Sequence, residues 1–421
     1  MIAMMLLVMI VLLLLGFPMM IPMIAASIIV IVFFMPTDPS FLVQQMMTGI
    51  SAYELLAVPL FILAADIMSE GKTSKRLLDF VGAFVGHIRG GYAITTAITC
   101  ALFGSISGST QATVVAVGRP MRQRLLKAGY KDSSAIALII NASDVALLIP
   151  PSIGLIIYAL AAPNVSLGDL FIAGIGPGLL VLLMFVIYSY IHAKIFNIPL
   201  DEKIPWKKRG KVTVKALLPL GFPVIIIGGI YGGFFTATEA AGISVIYALI
   251  LELLIFRTIK LSMIPKLALS TGLVTSAVFI LVAAGQALSW ILVMERVPQL
   301  LTGAVLGDSP SALYVLFIVA IFFFIGCMFV DPIVVILILT PIFYPAAIAA
   351  GVDPIHLGIV IVFQAALGSA TPPFGVDIFT ASAVFNKSYL NVIRGTPPYI
   401  IMLLVAAVLI ILFEEISLFL L

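Results

Sequence analysis

The chain has 421 residues, of which 62% are hydrophobic and only 10% charged, with a net charge of +3 at neutral pH. A soluble domain carries about 25% charged residues, so with a mean hydropathy of +1.26 this is a polytopic membrane protein. The apolar residues run in long blocks without alternation, which excludes a membrane β-barrel, the small charge offers nucleic acid nothing, and the scattered Cys100, Cys327, His87, His192 and His356 form no metal centre.

In chain order, residues 1–15 lack the basic start and small-residue cleavage site of a signal peptide. The apolar stretch 1–34 is interrupted at Gly16-Phe17-Pro18 and reads as two short crossings with an external N-terminus. Residues 54–70 reach the cytoplasmic side, where Lys72, Lys75, Arg76 and Arg89 lie. Residues 75–87 have the pattern of an amphipathic arm along the membrane surface. Segments 91–104 and 110–118 are too short to span comfortably and form a re-entrant hairpin with its tip at 104–110. Residues 133–163 cross outward and 169–197 return, before the basic stretch 203–215. Residues 216–232 go out and 239–256 come back to Arg257, Lys260 and Lys266, where a second surface arm is expected. Residues 270–292 go out, and a second hairpin occupies 312–349 with its tip near Asp331-Pro332. Residues 355–385 come in and 396–418 go out, leaving only Arg296 of the 22 basic residues outside.

The chain is written twice. A shift of 222 positions places Gly104 on Gly326, Ala128-Gly129 on Ala350-Gly351, Pro150-Pro151 on Pro372-Pro373, and Ser166 on Ser388. The segment 119–131 carries Arg119, Arg122, Arg124, Lys127 and Lys131, whereas its counterpart 341–353 has no Lys or Arg. Basic loops stay cytoplasmic, so the copies are inverted, a plan of secondary transporters that bind at broken helices near the midplane. The predicted fold is an all-α polytopic membrane protein, an inverted-topology repeat with two re-entrant hairpins and two broken helices. It divides into scaffold and arm helices at 1–90, hairpin and broken helix at 91–168, scaffold, arm and linker at 169–311, the second hairpin and broken helix at 312–386, and a last scaffold helix at 387–421.

Proline lacks an N–H and leaves the carbonyl four residues earlier without its helical partner. Pro150-Pro151 should free the carbonyls of Ala146 and Leu147, and Pro372-Pro373 those of Gly368 and Ser369. Such carbonyls at a half-helix end suit a hard cation such as Na⁺; the alternative is a plain kink satisfied by nearby hydroxyls or water. The tip Gly104-Ser105-Ile106-Ser107-Gly108-Ser109-Thr110 can present hydroxyls at membrane depth, or serve close helix packing by small residues. Asp331 at the second tip is a functional candidate and also a natural N-cap. The polar residues Asn141, Ser143, Asp144, Gln364, Ser369 and Thr371 near the breaks could hold a solute or bond between helices. Asp66 and Glu70 read as residues near water at a helix end, and Thr236-Ala237-Thr238-Glu239 as a capping box.

These motifs resemble the large membrane subunit of tripartite ATP-independent periplasmic (TRAP, DctM-like) transporters over essentially the whole chain. The resemblance is carried by Pro59-Leu60-Phe61-Ile62-Leu63, Phe103-Gly104-Ser105-Ile106-Ser107-Gly108-Ser109, Ile149-Pro150-Pro151-Ser152, Phe235-Thr236-Ala237-Thr238-Glu239-Ala240-Ala241 and Thr371-Pro372-Pro373. Ala237 stands where the family commonly has Pro, a departure confined to a helix cap. The resemblance implies a Na⁺-coupled importer of an organic anion, sialic acid or a C4-dicarboxylate, in the bacterial inner membrane. Its partners would be a small membrane subunit, encoded separately, and a periplasmic substrate-binding protein; no nucleic acid is involved. It further implies an elevator mechanism in the lipid bilayer. One Na⁺ site would fall on Ser107, Ser109 and the backbone at Ala146, Ile149 and Pro151, and a second on Asp331, Gly368, Thr371 and Phe374. Ser105, Thr110, Asn141, Ser143, Asp144, Gln364 and Ser369 are then candidates for the solute. The run 105–113 is similar to the sialic-acid branch.

Three other readings compete. A stand-alone Na⁺/organic anion symporter would need no periplasmic partner. An intramembrane enzyme would need an acid matched to Asp331, an HExxH, or a Ser/Lys or Ser/His pair at the breaks, and the sequence has none. A passive structural subunit would tolerate loss of Asp331.

Overall fold

The computed structural model describes residues 1–200, 203–307 and 310–421, and among them every regular element is helical. The first two helices, α1 (Ile2–Leu14) and α2 (Met20–Phe34), are separated at Gly16-Phe17-Pro18 and pack on each other, which agrees with two short apolar helices. Helix α3 (Ser40–Ile50), not foreseen in the sequence, is followed by α4 (Ala57–Glu70) at a 59° bend. Helix α5 (Thr73–Val85) falls on the segment expected to be amphipathic; it buries Leu77, Leu78 and Val81 against its neighbours.

Next comes a helical hairpin, α6 (Gly91–Ser107) and α7 (Thr110–Lys127), turning at Gly108-Ser109. Helix α7 runs nine residues beyond the expected end at 118, because its amphipathic basic end stays helical through Pro120. The broken helix consists of α8 (Asp132–Ser143), a tight turn at Asp144–Leu147, the Pro150-Pro151 break, and α9 (Ile153–Ala161). Helices α10 (Leu167–Ala173), α11 (Ile175–Ile195), α12 (Trp206–Tyr231) and α13 (Ala237–Leu249) follow. The capping box at α13 forms as expected, with Thr236 and Glu239 satisfying each other's backbone N–H.

After Lys260 comes a short turn at Leu261–Met263. The chain enters α14 (Ile264–Met294), one continuous 31-residue helix, because nothing between Pro265 and Met294 interrupts the helical ladder. Helix α15 (Val297–Leu306) was also unforeseen. The second hairpin is α16 (Ala312–Phe329) and α17 (Pro332–Ala349), the second broken helix α18 (Pro354–Ser369) and α19 (Val376–Phe385), and the chain ends with α20 (Tyr389–Ile393), α21 (Pro397–Leu412) and α22 (Glu415–Leu418). Among the described residues six helical segments are long and apolar enough to cross a membrane, or seven if α3 and α4 count as one bent span.

The repeat is visible in individual bonds. At the end of α7 the N–H groups of Ala128, Gly129 and Tyr130 donate to the carbonyls of Arg124, Leu126 and Leu125. At the end of α17 those of Ala350, Gly351 and Val352 donate to Ala346, Ile348 and Ala347, the same positions shifted by 222. Gly129 and Gly351 both take the left-handed conformation that this cap requires. The copies also exchange partners: α7 packs on α19, and α17 packs on α9. At the end of α7, Asp132 pairs with Arg122 at 2.6 Å and with Lys387 at 3.2 Å. At the end of α17, the Tyr344 hydroxyl donates to the Pro163 carbonyl at 3.0 Å. The two matching turns therefore lie at opposite ends of the broken helix that runs from Asp132 to Ala161.

Candidate functional site

Each broken helix meets the tip of the hairpin from its own repeat. In the first, the Ile153 N–H donates to the Gly108 carbonyl at 3.2 Å; in the second, the Phe374 N–H donates to the Met328 carbonyl at 3.0 Å. Gly108 is in the left-handed region at φ +61°, and a Cβ there would come within 2.6 Å of the Pro151 carbonyl oxygen. Only glycine allows so close an approach with that backbone. Ser109 and Asp331, equivalent positions, cap the second helix of each hairpin: Ser109 Oγ accepts from Ala112 at 3.4 Å and Asp331 Oδ1 from Ile333 at 2.9 Å.

The carbonyls at the breaks divide into bonded and unbonded. Leu147, expected free, accepts from the Ser152 hydroxyl at 2.6 Å. Gly368, expected free, accepts from the Thr371 N–H at 3.0 Å. Both corrections have one cause: a group beside the Pro-Pro pair, the Ser152 hydroxyl just after the first and the Thr371 amide just before the second, folds back onto the last turn. Among the described residues no hydrogen bond reaches the carbonyls of Ala146 or Ser369. The Thr371 hydroxyl donates to Leu367 at 2.6 Å, and its carbonyl accepts from Gly375 at 3.2 Å. Both Pro-Pro peptides are cis.

Around the first break, the Ser107 hydroxyl contacts the Ser109 carbonyl at 3.2 Å and Thr113 at 3.1 Å, and the Ile149 side chain packs on Gly178. Around the second, Gly368 lies against Cys327 and the Phe324 carbonyl of α16, and Phe374 is exposed beside Phe329. Each place thus offers hydroxyl, carbonyl or carboxylate oxygens and no nitrogen or sulfur ligand among the nine named residues. Such sets fit a hard cation.

A cavity of about 440 Å³ lies between the two hairpin tips. Ser107 to Ala112 line it from the first hairpin, and Asp331, Pro332 and Ile333 from the second. Ile62, Ala65 and Asp66 of α4 and Val274 to Leu281 of α14 close it opposite. Asp66 is therefore not at a helix end in water: it sits a turn inside α4, half-buried, and its Oδ2 accepts from the Thr271 hydroxyl at 2.8 Å.

Of the seven solute candidates, Thr110 alone lines this cavity. Ser105 is buried and donates back to Leu102 at 2.7 Å. Ser143 donates to Ile139 and Asn141 Nδ2 to Ala137, each at 2.8 Å. Gln364 is buried in α18. Ser369 donates to Ala366 and to Asp377, each at 2.7 Å. Asp144 is fully buried, and neither of its carboxylate oxygens nor Asn141 Oδ1 has a partner among the described residues.

Asp377 escaped the sequence reading. It is fully buried, and its second oxygen accepts from Thr110 at 2.8 Å. The repeat concealed it, because the equivalent position in the first copy is Leu155. The available signal was an acid inside the apolar segment 355–385.

Comparison with known proteins follows the same lines. The model of the DctM component of tripartite ATP-independent periplasmic transporters matches residues 6–416. The chain is 56% identical over 409 residues to the ectoine TRAP transporter large permease protein TeaC of Halomonas elongata, covering 96% of this chain and 95% of that protein. It is 32% identical over 384 residues to the sialic acid TRAP transporter large permease protein SiaM of Vibrio cholerae, covering 91% and 90%. Over the whole chain the similarity to the ectoine permease is therefore higher than that to the sialic acid permease. Among solved structures, the Alcanivorax borkumensis YdaH transporter superposes with a TM-score of 0.65 over 90% of each chain at 14% identity, a likeness of fold.

Proposed function

Because the chain belongs to the DctM family of TRAP transporter large subunits, we propose that it imports an ectoine-like solute, coupled to Na⁺, by an elevator movement of the hairpins and broken helices. As a member of that family it is an inner-membrane transport component, not an enzyme, and it works with a small membrane subunit and a periplasmic binding protein.

One observation carries the solute and ion reading. The cavity is bounded on one side by both hairpin tips and on the other by α4 and α14, and the unbonded carbonyls of Ala146 and Ser369 lie at the breaks behind those tips. A solute there contacts both parts at once. Na⁺ would be held at the first break by Ser107, Ser109 and the backbone of Ala146, Ile149 and Pro151, and at the second by Asp331, Gly368, Thr371 and Phe374. When bound, it supplies charge compensation for Asp331 and for the carbonyl dipoles. The chain's own residues position the tips, exclude water behind the cavity and present hydroxyls to the solute.

Ectoine is a cyclic amidine bearing a carboxylate, a zwitterion at neutral pH. One charge moved through 100 mV is worth about 2.3 kcal/mol. Two Na⁺ carrying a neutral zwitterion gain that term twice, whereas two carrying a dicarboxylate gain none. Neutral solutes therefore make fuller use of the membrane potential.

The test is uptake in proteoliposomes holding the large and small subunits, with the binding protein outside and a Na⁺ gradient imposed. Ectoine uptake should need the gradient and the binding protein. Uptake indifferent to Na⁺ overturns the coupling. Uptake without the binding protein restores the stand-alone symporter.

A further inference from the structure

The cavity's charges are one-sided. Asp66 and Asp331 line it, and no Lys, Arg or His does so among the described residues. The rest of the lining is uncharged: Ser107, Ser109, Thr110 and the Gln111 amide from the first tip, and aliphatic side chains from α4, α14 and α17. A dicarboxylate placed here would meet two carboxylates and no cationic side chain, an arrangement that disfavours it.

The two acids differ in setting. Asp331 caps α17 and belongs to the second hairpin, among the residues assigned above to Na⁺. Asp66 belongs to the opposite wall, on α4. Its Oδ2 is held at 2.8 Å by the Thr271 hydroxyl from α14, and Oδ1 has no hydrogen-bond partner among the described residues. A carboxylate so fixed by one oxygen is oriented, not free to rotate. It is also separate from the ion machinery, so its charge is available to a solute.

We infer that Asp66, oriented by Thr271, is the specificity residue of the solute site and pairs with a planar, positively charged amidinium group. The inference rests on the ectoine reading of the preceding subsection and adds which end of the zwitterion faces which wall. The amidinium faces α4, and the solute carboxylate faces the tip hydroxyls at Ser107 to Thr110. The two ring N–H groups of a cyclic amidinium diverge on either side of its methyl, so one of them donates a charge-assisted hydrogen bond to the Oδ1 that Thr271 leaves open.

Two measurements decide it, both on the large and small subunits together in nanodiscs or proteoliposomes. In the first, Asp66→Asn keeps a hydrogen-bonding group for Thr271 and should fold. It should raise the KM for ectoine at least tenfold while leaving kcat and the Na⁺ dependence near wild type; Asp66→Glu should recover most of the loss. A KM within twofold of wild type in Asp66→Asn overturns the inference. In the second, thermal unfolding is followed with acetamidinium chloride or potassium acetate. Acetamidinium should raise the midpoint of the wild type but not of Asp66→Asn, and acetate should protect both equally. Equal protection of the two proteins by acetamidinium overturns the inference. If the wild type takes up no ectoine, the solute reading of the preceding subsection falls, and the acetamidinium comparison still decides the role of Asp66.

Discussion

The Thr110 hydroxyl donates to Asp377 at 2.8 Å across 267 residues of sequence. Thr110 opens the second helix of the first hairpin, and Asp377 lies just past the second break. Ser369 holds the other carboxylate oxygen at 2.7 Å. The two repeats are thus joined by a buried polar contact at the depth where both backbones are interrupted.

Asp377→Ala should cut uptake at least tenfold and lower the thermal midpoint. It leaves the Thr110 hydroxyl buried without its partner, a loss of about 1–3 kcal/mol. Asp377→Asn should be intermediate, because the amide oxygen still accepts from one hydroxyl. Thermal unfolding and proteoliposome uptake of both variants check this; wild-type behaviour in Asp377→Ala would show the contact to be dispensable.

Gly368→Ala tests the fit of the second break against its hairpin. A Cβ there would lie 2.5 Å from Cys327 Cβ and 2.8 Å from the Phe324 carbonyl oxygen. A backbone carbonyl inside α16 has nowhere to move, so the overpacking should cost about 1–3 kcal/mol. Gly242→Ala, inside α13 where a Cβ meets nothing within 4 Å, is the control and should keep the midpoint or raise it slightly.

Ser152→Ala removes two bonds at once. The hydroxyl donates to the Leu147 carbonyl at 2.6 Å and accepts from the Leu155 N–H at 3.2 Å as the N-cap of α9. Loss of the cap costs about 1 kcal/mol, and the freed Leu147 carbonyl adds to it. Ser152→Thr should retain most of the stability. Equal midpoints for Ser152→Ala and wild type in a thermal scan would rule this out.

The rim pair at Asp132 predicts an acid limit. The Arg122 hydrogen bond, followed by the contact with Lys387, holds the Asp132 carboxyl below the usual carboxylate range. A lowered folded-state pKa contributes stability that is complete above the unfolded value and is lost as pH falls through the folded one. The thermal midpoint should therefore drop below pH of about 4 in the wild type, and Asp132→Asn should flatten that part of the profile.

Much of this site was legible in the sequence. The hairpin tips, the Pro-Pro breaks and the Asp331 cap follow from where glycine, proline and small polar residues interrupt apolar segments. What could not be read was who satisfies whom. The fate of the Leu147 carbonyl depends on the rotamer of Ser152, and that of Asp377 on a contact 267 residues away. Asp66 was misplaced for a related reason. Near the end of an apolar run, an acid facing water and an acid facing a cavity have the same local sequence; only the packing of α14 against α4 separates them. The unforeseen helices α3 and α15 have 11 and 10 residues, too few to read as crossings, so a search for spans passes over them.

The paired turns at the ends of α7 and α17 share one bonding scheme in two chemical settings, one lined with arginine and lysine and the other bare of them. Shape alone therefore sets no direction of insertion, and the positive-inside rule leaves that choice to the cations of 119–131. A half-length forerunner without those cations would have been free to insert in both directions and to meet its own upside-down twin. Joining the genes of such twins fixes a pairing that diffusion would otherwise have had to find.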